Sequence, residues 1–314
     1  MKILFLDTVH PLLMQRLTAI GMECEEDYTS TKPVIEEKIH LYDGLVIRSR
    51  IPIDSNFIDK AVRLKFIARS GAGLENIDTD YCKIKSIQVF NSPEGNMDAV
   101  GEHAVGMLLM LFNHLKKGDK EVRQGIWDRE GNRGIELKGK TVGIIGYGNM
   151  GSAFAKKLSG FEINILAYDK YKKGFGNEYV KETTLDEIYS NTDVLSIHLP
   201  LSDETHHYVN QSFINKFKKP FYLINTARGN HIKTIDLIEA LNTKKILGAC
   251  LDVLEFETKS FELNSSDKAL FNQLTAFDNV LFSPHVAGWT VESYEKLAFF
   301  LAEKIENWYQ NFCK

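Results

Sequence analysis

The chain has 314 residues, 44% hydrophobic and 25% charged, which suits about two domains with sizeable cores and excludes a disordered, collagenous or long coiled-coil protein. Thirty-eight basic side chains against 42 acidic ones leave a net charge of −4, which argues against general attraction to nucleic acid or to an anionic membrane. Cys24, Cys82, Cys250 and Cys313 are scattered, with no Cys/His cluster at metal spacing, so free thiols in a reducing cytoplasm and no metal site are expected.

In chain order, short apolar runs alternate with helical patterns, the sign of parallel sheets built from strand–helix–strand units. The N-terminal run at 2–6 is too short for a signal peptide and reads as a strand. Helices at about 11–20 and 55–61 and strands at 45–48, 66–69 and 89–90 complete a first α/β set. Residues 98 to about 115, apolar and carrying Gly101, Ala104 and Gly106, read as a long connecting helix that another helix can approach closely. A second set of strands follows at 141–145, 163–168, 194–198, 222–225, 248–251 and 280–282, with a capping box predicted where Thr184 precedes Glu187. Near the end, Tyr294, Leu297, Ala298, Leu301, Ile305, Trp308 and Phe312 recur at spacings of three and four, giving an amphipathic helix that needs a partner surface. No apolar stretch approaches the roughly 20 residues of a membrane span. The chain is therefore expected to be complete and cytoplasmic.

Gly146-Tyr147-Gly148-Asn149-Met150-Gly151 joins the 141–145 strand to a helix. The first glycine makes the turn, the second admits a pyrophosphate to the backbone, and the third lets helix and strand pack. The helix start offers N–H donors and a positive dipole end. Asp169 closes the next strand 18 residues beyond Gly151, where a carboxylate can accept from a ribose diol and repel a 2′-phosphate. NAD is the cofactor this pattern predicts, in preference to NADP, although Lys170, Lys172 and Lys173 follow at once.

A longer series of segments runs in order through most of the chain: Asp43-Gly44-Leu45-Val46-Ile47-Arg48-Ser49; Gly71-Ala72-Gly73-Leu74-Glu75-Asn76-Ile77-Asp78; Asn91-Ser92-Pro93 with Val100-Gly101-Glu102-His103; His198-Leu199-Pro200-Leu201; Asn225-Thr226-Ala227-Arg228-Gly229; Gly248-Ala249-Cys250-Leu251-Asp252-Val253; and Ser283-Pro284-His285. This series resembles the D-isomer-specific 2-hydroxyacid dehydrogenases. The resemblance implies two doubly wound parallel-sheet domains with a cleft between them. A flavodoxin-like substrate domain would be formed by 1–97 and 288–314, and a Rossmann NAD-binding domain by 98–287. It also implies a catalytic trio. Arg228 would fork onto the carboxylate and the neighbouring oxygen of a 2-hydroxy acid, His285 would carry the hydroxyl proton, and Glu257, with Glu255 as nearest rival, would hold the imidazole.

By the same resemblance, Asp252 would accept from the nicotinamide carboxamide, His198 and Thr226 would line the cofactor groove, and the backbone N–H groups of Ala72 and Gly73 would take the substrate carboxylate. For His198, a buried and satisfied histidine is the alternative. The chain departs from the family's frequent pattern at Asn149, where an arginine is common, at Ile232-Lys233, and at Thr258, where a proline often follows the glutamate. The shape of 258–278 is left open by that last change. Arg48, Arg50 and Arg69 stand at predicted strand ends; Arg48 and Arg69 fall where phosphoglycerate dehydrogenases hold a phosphate, and Arg129 resembles an arginine supplied across a dimer. The resemblance thus implies a homodimer, without an appended regulatory domain, that oxidises D-3-phosphoglycerate at the entry to serine synthesis. A D-lactate, glyoxylate or hydroxypyruvate reductase is the alternative enzyme, and an NAD-sensing corepressor the alternative of another class.

Overall fold

The structure is a computed structural model and describes residues 1–257 and 268–312. The chain divides into two compact units, Met1–Asn96 with Trp289–Lys314, and Met97–Gly288.

In the first unit, β1 (Lys2–Phe5), β2 (Glu23–Glu26), β3 (Gly44–Ile47), β4 (Phe66–Arg69) and β5 (Gln88–Asn91) form one parallel sheet in the order β2-β1-β3-β4-β5. This is the flavodoxin-like doubly wound order, whose switch point lies between β1 and β3. β1, β3 and β4 read as continuous apolar runs because both of their faces are covered. On one face, Phe5, Val46 and Phe66 pack with Ala298, Leu301, Ala302 and Ile305 of the long helix Val291–Phe312. Leu4, Leu45 and Ile67 fill the other face with Phe57 and Ile58 of the helix Ser55–Lys60. Complete burial of a leucine such as Leu301 contributes about 2 kcal/mol, so the C-terminal stripe is an integral part of this core. Polar ties fix the helix as well: the Arg16 guanidinium pairs with Glu306, and Lys304 Nζ donates to the Asn91 carbonyl at 2.9 Å and to Glu94 at 2.8 Å. The strand β2 was not predicted. Its sequence is Glu-Cys-Glu-Glu, and it pairs on one side only, so solvent covers the rest and no apolar alternation is needed.

The second unit holds a seven-stranded sheet, parallel throughout: β6 (Thr141–Ile145), β7 (Asn164–Tyr168), β8 (Lys181–Glu182), β9 (Val194–Ile197), β10 (Phe221–Asn225), β11 (Ile246–Leu251) and β12 (Val280–Phe282). Their order, β8-β7-β6-β9-β10-β11-β12, is that of the dinucleotide-binding fold with one strand added, and its switch point falls between β6 and β9. The helix Met97–Phe112 crosses the helix Asn149–Leu158 so closely that a Cβ on Gly101 would stand 3.1 Å from the Ala153 backbone. Gly101 thus admits a helix of its own unit. The predicted single helix to 115 is in fact two, because His114 adopts a left-handed φ of 51° and a separate helix, Leu115–Arg123, begins there.

The predicted capping box is half formed. Thr184 Oγ1 accepts from the Glu187 N–H at 3.3 Å, but the Glu187 carboxylate turns to Lys181 and to the Thr183 hydroxyl, where a cation is available. Within the segment 258–278, residues 258–267 lie outside the described residues, as does Cys313, and Lys268–Thr275 is a helix. Among the described residues, no helix is long and apolar enough to cross a membrane and no cluster of side chains suits a metal.

Candidate active site

The cofactor half of the site follows from the β6–β9 switch point. Gly146 takes a φ of +92°, and a Cβ there would run into the His198 carbonyl at the end of β9, so both the turn and the strand separation require glycine. The space beside Gly148 is open, and the helix Asn149–Leu158 starts directly after it with its first N–H groups directed out of the helix. Asn149 and Met150 occupy the first turn, Asn149 exposed and Met150 half-buried. Those N–H groups and the dipole suit a pyrophosphate.

Asp169 ends one strand over, just past β7. Its Oδ2 accepts from the Tyr147 N–H at 2.8 Å, and Oδ1 accepts from the N–H groups of Tyr171 and Lys172, both at 2.9 Å. Burial acts to raise its pKa, but the N–H groups of Lys172, Tyr147 and Tyr171 and the Lys172 charge together hold it below the usual carboxylate range. It is therefore an anion at neutral pH, and one lone pair on Oδ2 remains for a sugar hydroxyl. The neighbouring lysines have partners already. Lys170 pairs with Glu204, Lys172 Nζ donates to the Tyr147 carbonyl at 3.3 Å, and Lys173 Nζ donates to the Asp169 carbonyl at 3.1 Å.

His198 is buried against Phe154 with its Nε2 2.8 Å from Ser196 Oγ, and burial pushes its pKa down to about 3. Its ring is thus neutral with Nε2 engaged by Ser196, while its carbonyl meets the glycine turn. Thr226, at the end of β10, has a buried hydroxyl oxygen with no hydrogen-bond partner among the described residues, the kind of orphan that a bound group satisfies. Taken together, the open glycine turn, the anionic Asp169 and the Thr226 hydroxyl fit a dinucleotide along the carboxyl ends of β6, β7, β9 and β10.

The residues of the expected trio leave three adjacent strands at that same edge: Arg228 after β10, Glu257 after β11 and His285 after β12. The Glu257 carboxylate hydrogen-bonds His285 Nδ1, which leaves Nε2 as the ring atom able to exchange a proton with a ligand. Glu255 is engaged elsewhere. Its Oε1 lies 2.6 Å from His207 Nε2, and its Oε2 accepts from the Thr234 N–H at 2.8 Å. At Gly229 a Cβ would collide with the Leu254 carbonyl, so this glycine lets the arginine loop lie directly on the loop that leads to Glu257. Buried Asn225 shapes the arginine turn by donating to the Arg228 carbonyl at 2.9 Å and accepting from the Ala227 N–H at 3.1 Å. His231, unremarked in the sequence, is fully buried beneath it, with Nδ1 accepting from the Arg228 N–H at 3.3 Å.

Asp252 has more partners than the sequence suggested. Its Oδ1 accepts from Ser283 Oγ at 2.6 Å and from the Val286 N–H at 2.9 Å, Oδ2 accepts from the Ala287 N–H at 2.9 Å, and its carbonyl takes the His285 N–H at 2.8 Å. One lone pair on Oδ2 remains for a carboxamide. The same contacts fasten the histidine loop.

In the first unit, Arg48 and Arg69 stand at the carboxyl ends of β3 and β4. The Arg48 guanidinium stacks on Trp289, 4.2 Å from the ring centroid, and among the described residues it donates to no acceptor. Burial lowers its pKa against the opposing pull of Asp7 and Tyr294, yet a guanidinium stays charged. Arg69 Nε donates to the Arg48 carbonyl at 3.3 Å. Arg50 serves the fold: it donates to the carbonyls of Leu6, Ser30 and Asp27 at 2.8, 2.6 and 2.8 Å. The N–H groups of Ala72 and Gly73 meet no acceptor among the described residues, and the Ala72 carbonyl accepts from Asn91 Nδ2 at 2.5 Å. Arg129 is exposed in the second unit, beyond Trp127.

Residues 105–287 match the family described as D-isomer specific 2-hydroxyacid dehydrogenase, NAD binding domain. The chain is 36% identical over 265 residues to the hydroxypyruvate reductase of Thermotoga maritima, covering 84% of this chain and 83% of that protein. It is 32% identical over 309 residues to the D-3-phosphoglycerate dehydrogenase of Archaeoglobus fulgidus, covering 98% of this chain but 57% of the relative, so it spans little more than half of that longer protein. The solved structure of D-lactate dehydrogenase from Aquifex aeolicus, complexed with NAD and lactic acid, superposes with a TM-score of 0.84 at 28% identity, covering 99% of this chain and 96% of that one. The chain belongs to the D-isomer specific 2-hydroxyacid dehydrogenase family, and the residues that match that family's NAD-binding domain lie within its Met97–Gly288 unit.

Proposed function

We propose that the chain interconverts a D-2-hydroxy acid and its 2-keto acid, and that the preferred substrate is D-3-phosphoglycerate. Bound NAD supplies the hydride acceptor. In oxidation, the C2–H bond breaks with its electron pair leaving as hydride, and His285 Nε2 takes the hydroxyl proton, which it returns in reduction. Glu257 on Nδ1 fixes the ring and favours the imidazolium that results. Arg228 binds the carboxylate and polarises the C2 oxygen. Ala72 and Gly73 offer a carboxylate N–H groups that meet no acceptor among the described residues.

The observation that carries the phosphorylated substrate is Arg48, a half-buried cation stacked on Trp289 whose guanidinium, offset in part by the Asp7 charge, donates to no acceptor among the described residues and so keeps its donors for an anion such as a phosphate. An unphosphorylated acid such as hydroxypyruvate or glyoxylate is the second reading, favoured by the commitment of Arg50 to three backbone carbonyls, which removes one cation from any phosphate site. A homodimer is supported by the exposed apolar side chains Met110, Leu115, Val122, Ile126 and Trp127, which lie close together in the chain. Arg129 follows them and would be presented with that surface.

Replacement of His285 by alanine should lower kcat by about 10²- to 10⁴-fold with NADH affinity nearly unchanged, and wild-type turnover in that variant contradicts the acid–base role. Across a panel of 2-hydroxy acids, activity should be highest with D-3-phosphoglycerate and should fall in Arg48→Ala and Arg69→Ala. Full activity of those variants on unphosphorylated acids supports the second reading, and no turnover despite NAD binding points to a binding protein. The kcat/KM ratio should favour NAD over NADP, since an anionic Asp169 would repel a 2′-phosphate, and the reverse ratio overturns that assignment. Light scattering at micromolar concentration should give the mass of a dimer; a monomer would refute it.

A further inference from the structure

His285 has a left-handed backbone, φ 54°, a conformation that side-chain-bearing residues rarely adopt. The neighbouring contacts hold it there. Asp252 receives a hydrogen bond from Ser283, two residues before the histidine, and from the N–H groups of Val286 and Ala287 just after it, while its own carbonyl receives the His285 N–H. Glu257 then sets the rotation of the ring from the other side.

Behind Ser283 stands a residue from a different element. His103, on the helix Met97–Phe112, places Nε2 2.8 Å from Ser283 Oγ and 3.6 Å from Asp252 Oδ1. A serine hydroxyl has one proton. With a carboxylate 2.6 Å away, that proton belongs to the bond to Asp252, so Ser283 accepts from a proton on His103 Nε2. Donation therefore runs one way, from His103 through Ser283 to Asp252. It fixes the Nε2–H form of His103, the rotamer of the serine and the plane of the carboxylate that clamps the loop 283–287. Chains of this kind polarise each member and strengthen the terminal bond.

We infer that His103 is a positioning residue for His285, acting through Ser283 and Asp252; the inference rests on the reading of His285 as the acid–base group. Nothing in the trio requires His103, and the Gly101-Glu102-His103 and Ser283-Pro284-His285 segments are far apart in sequence, yet they meet at one carboxylate. Its loss should affect the aim of the imidazole, and hence the chemical step, more than cofactor binding.

The test compares His103→Asn, His103→Gln, Ser283→Ala and the double variant His103→Asn/Ser283→Ala, with His285→Asn as reference, all in the full chain and on the most active acid of the panel. Asparagine is too short to reach Ser283, whereas the glutamine amide can replace Nε2–H. Expected are a loss in kcat of about tenfold for His103→Asn and for Ser283→Ala, an NADH Kd within about twofold of wild type, and no further loss in the double variant because the chain of donation is already cut. His103→Gln should recover to within about threefold of wild type. A kcat unchanged in His103→Asn, losses that multiply in the double variant, or equal losses for asparagine and glutamine would each overturn the inference. If His285→Asn itself turns over normally, the acid–base reading fails; if it is inactive while His103→Asn is unaffected, the present inference alone fails.

Discussion

The Asp252 carboxylate is the constraint on which the edge carrying Arg228, Glu257 and His285 depends. It is almost wholly buried, and it is tolerated there because three donors, Ser283 Oγ and the N–H groups of Val286 and Ala287, satisfy it while its backbone carbonyl takes the N–H of His285. Net hydrogen bonds to a charged group contribute about 1.5–3 kcal/mol each, more than enough to outweigh the left-handed turn at the histidine. The loop is therefore held in one conformation by a group on the neighbouring strand. Parallel pairing of β11 with β12 brings the ends of those two strands side by side, so sheet register and loop conformation are parts of one structure.

The same logic extends along the sheet. Because β10, β11 and β12 are adjacent and parallel, the residues following each emerge at one edge, and Gly229 removes the side chain that would otherwise hold the first two loops apart. At the switch point, Gly146 removes another and lets the glycine turn meet the end of β9. Chemistry in this unit thus depends on where backbones can approach, with few charged side chains placed by that approach.

Much of this was legible in the sequence, and the parts that were not have physical reasons. Buried strands announce themselves because both faces must be apolar; hence 66–69, 141–145 and 280–282 match their predicted limits. β2 and the two-residue β8 did not, since edge strands can be polar or very short. The glycine motif was legible because Gly146 and Gly151 answer local steric demands and Gly148 keeps the space beside the turn open. Partner choice was less so, being set by distant segments: Glu187 prefers Lys181 to its own helix start, Arg50 is consumed by three carbonyls, and Asp252 binds residues more than thirty positions away. His103 and Ser283 were visible as motif members, but their contact exists only once the helix Met97–Phe112 lies beside the end of β12.

The most direct measurement follows a hydrogen atom. With NAD and a D-2-hydroxy acid carrying deuterium at C2, mass spectrometry of the reduced cofactor should show one deuterium per turnover, transferred without exchange into water, and the L-isomer should give none. Unlabelled reduced cofactor, or equal reaction of the L-isomer, would contradict direct hydride transfer within a D-specific site.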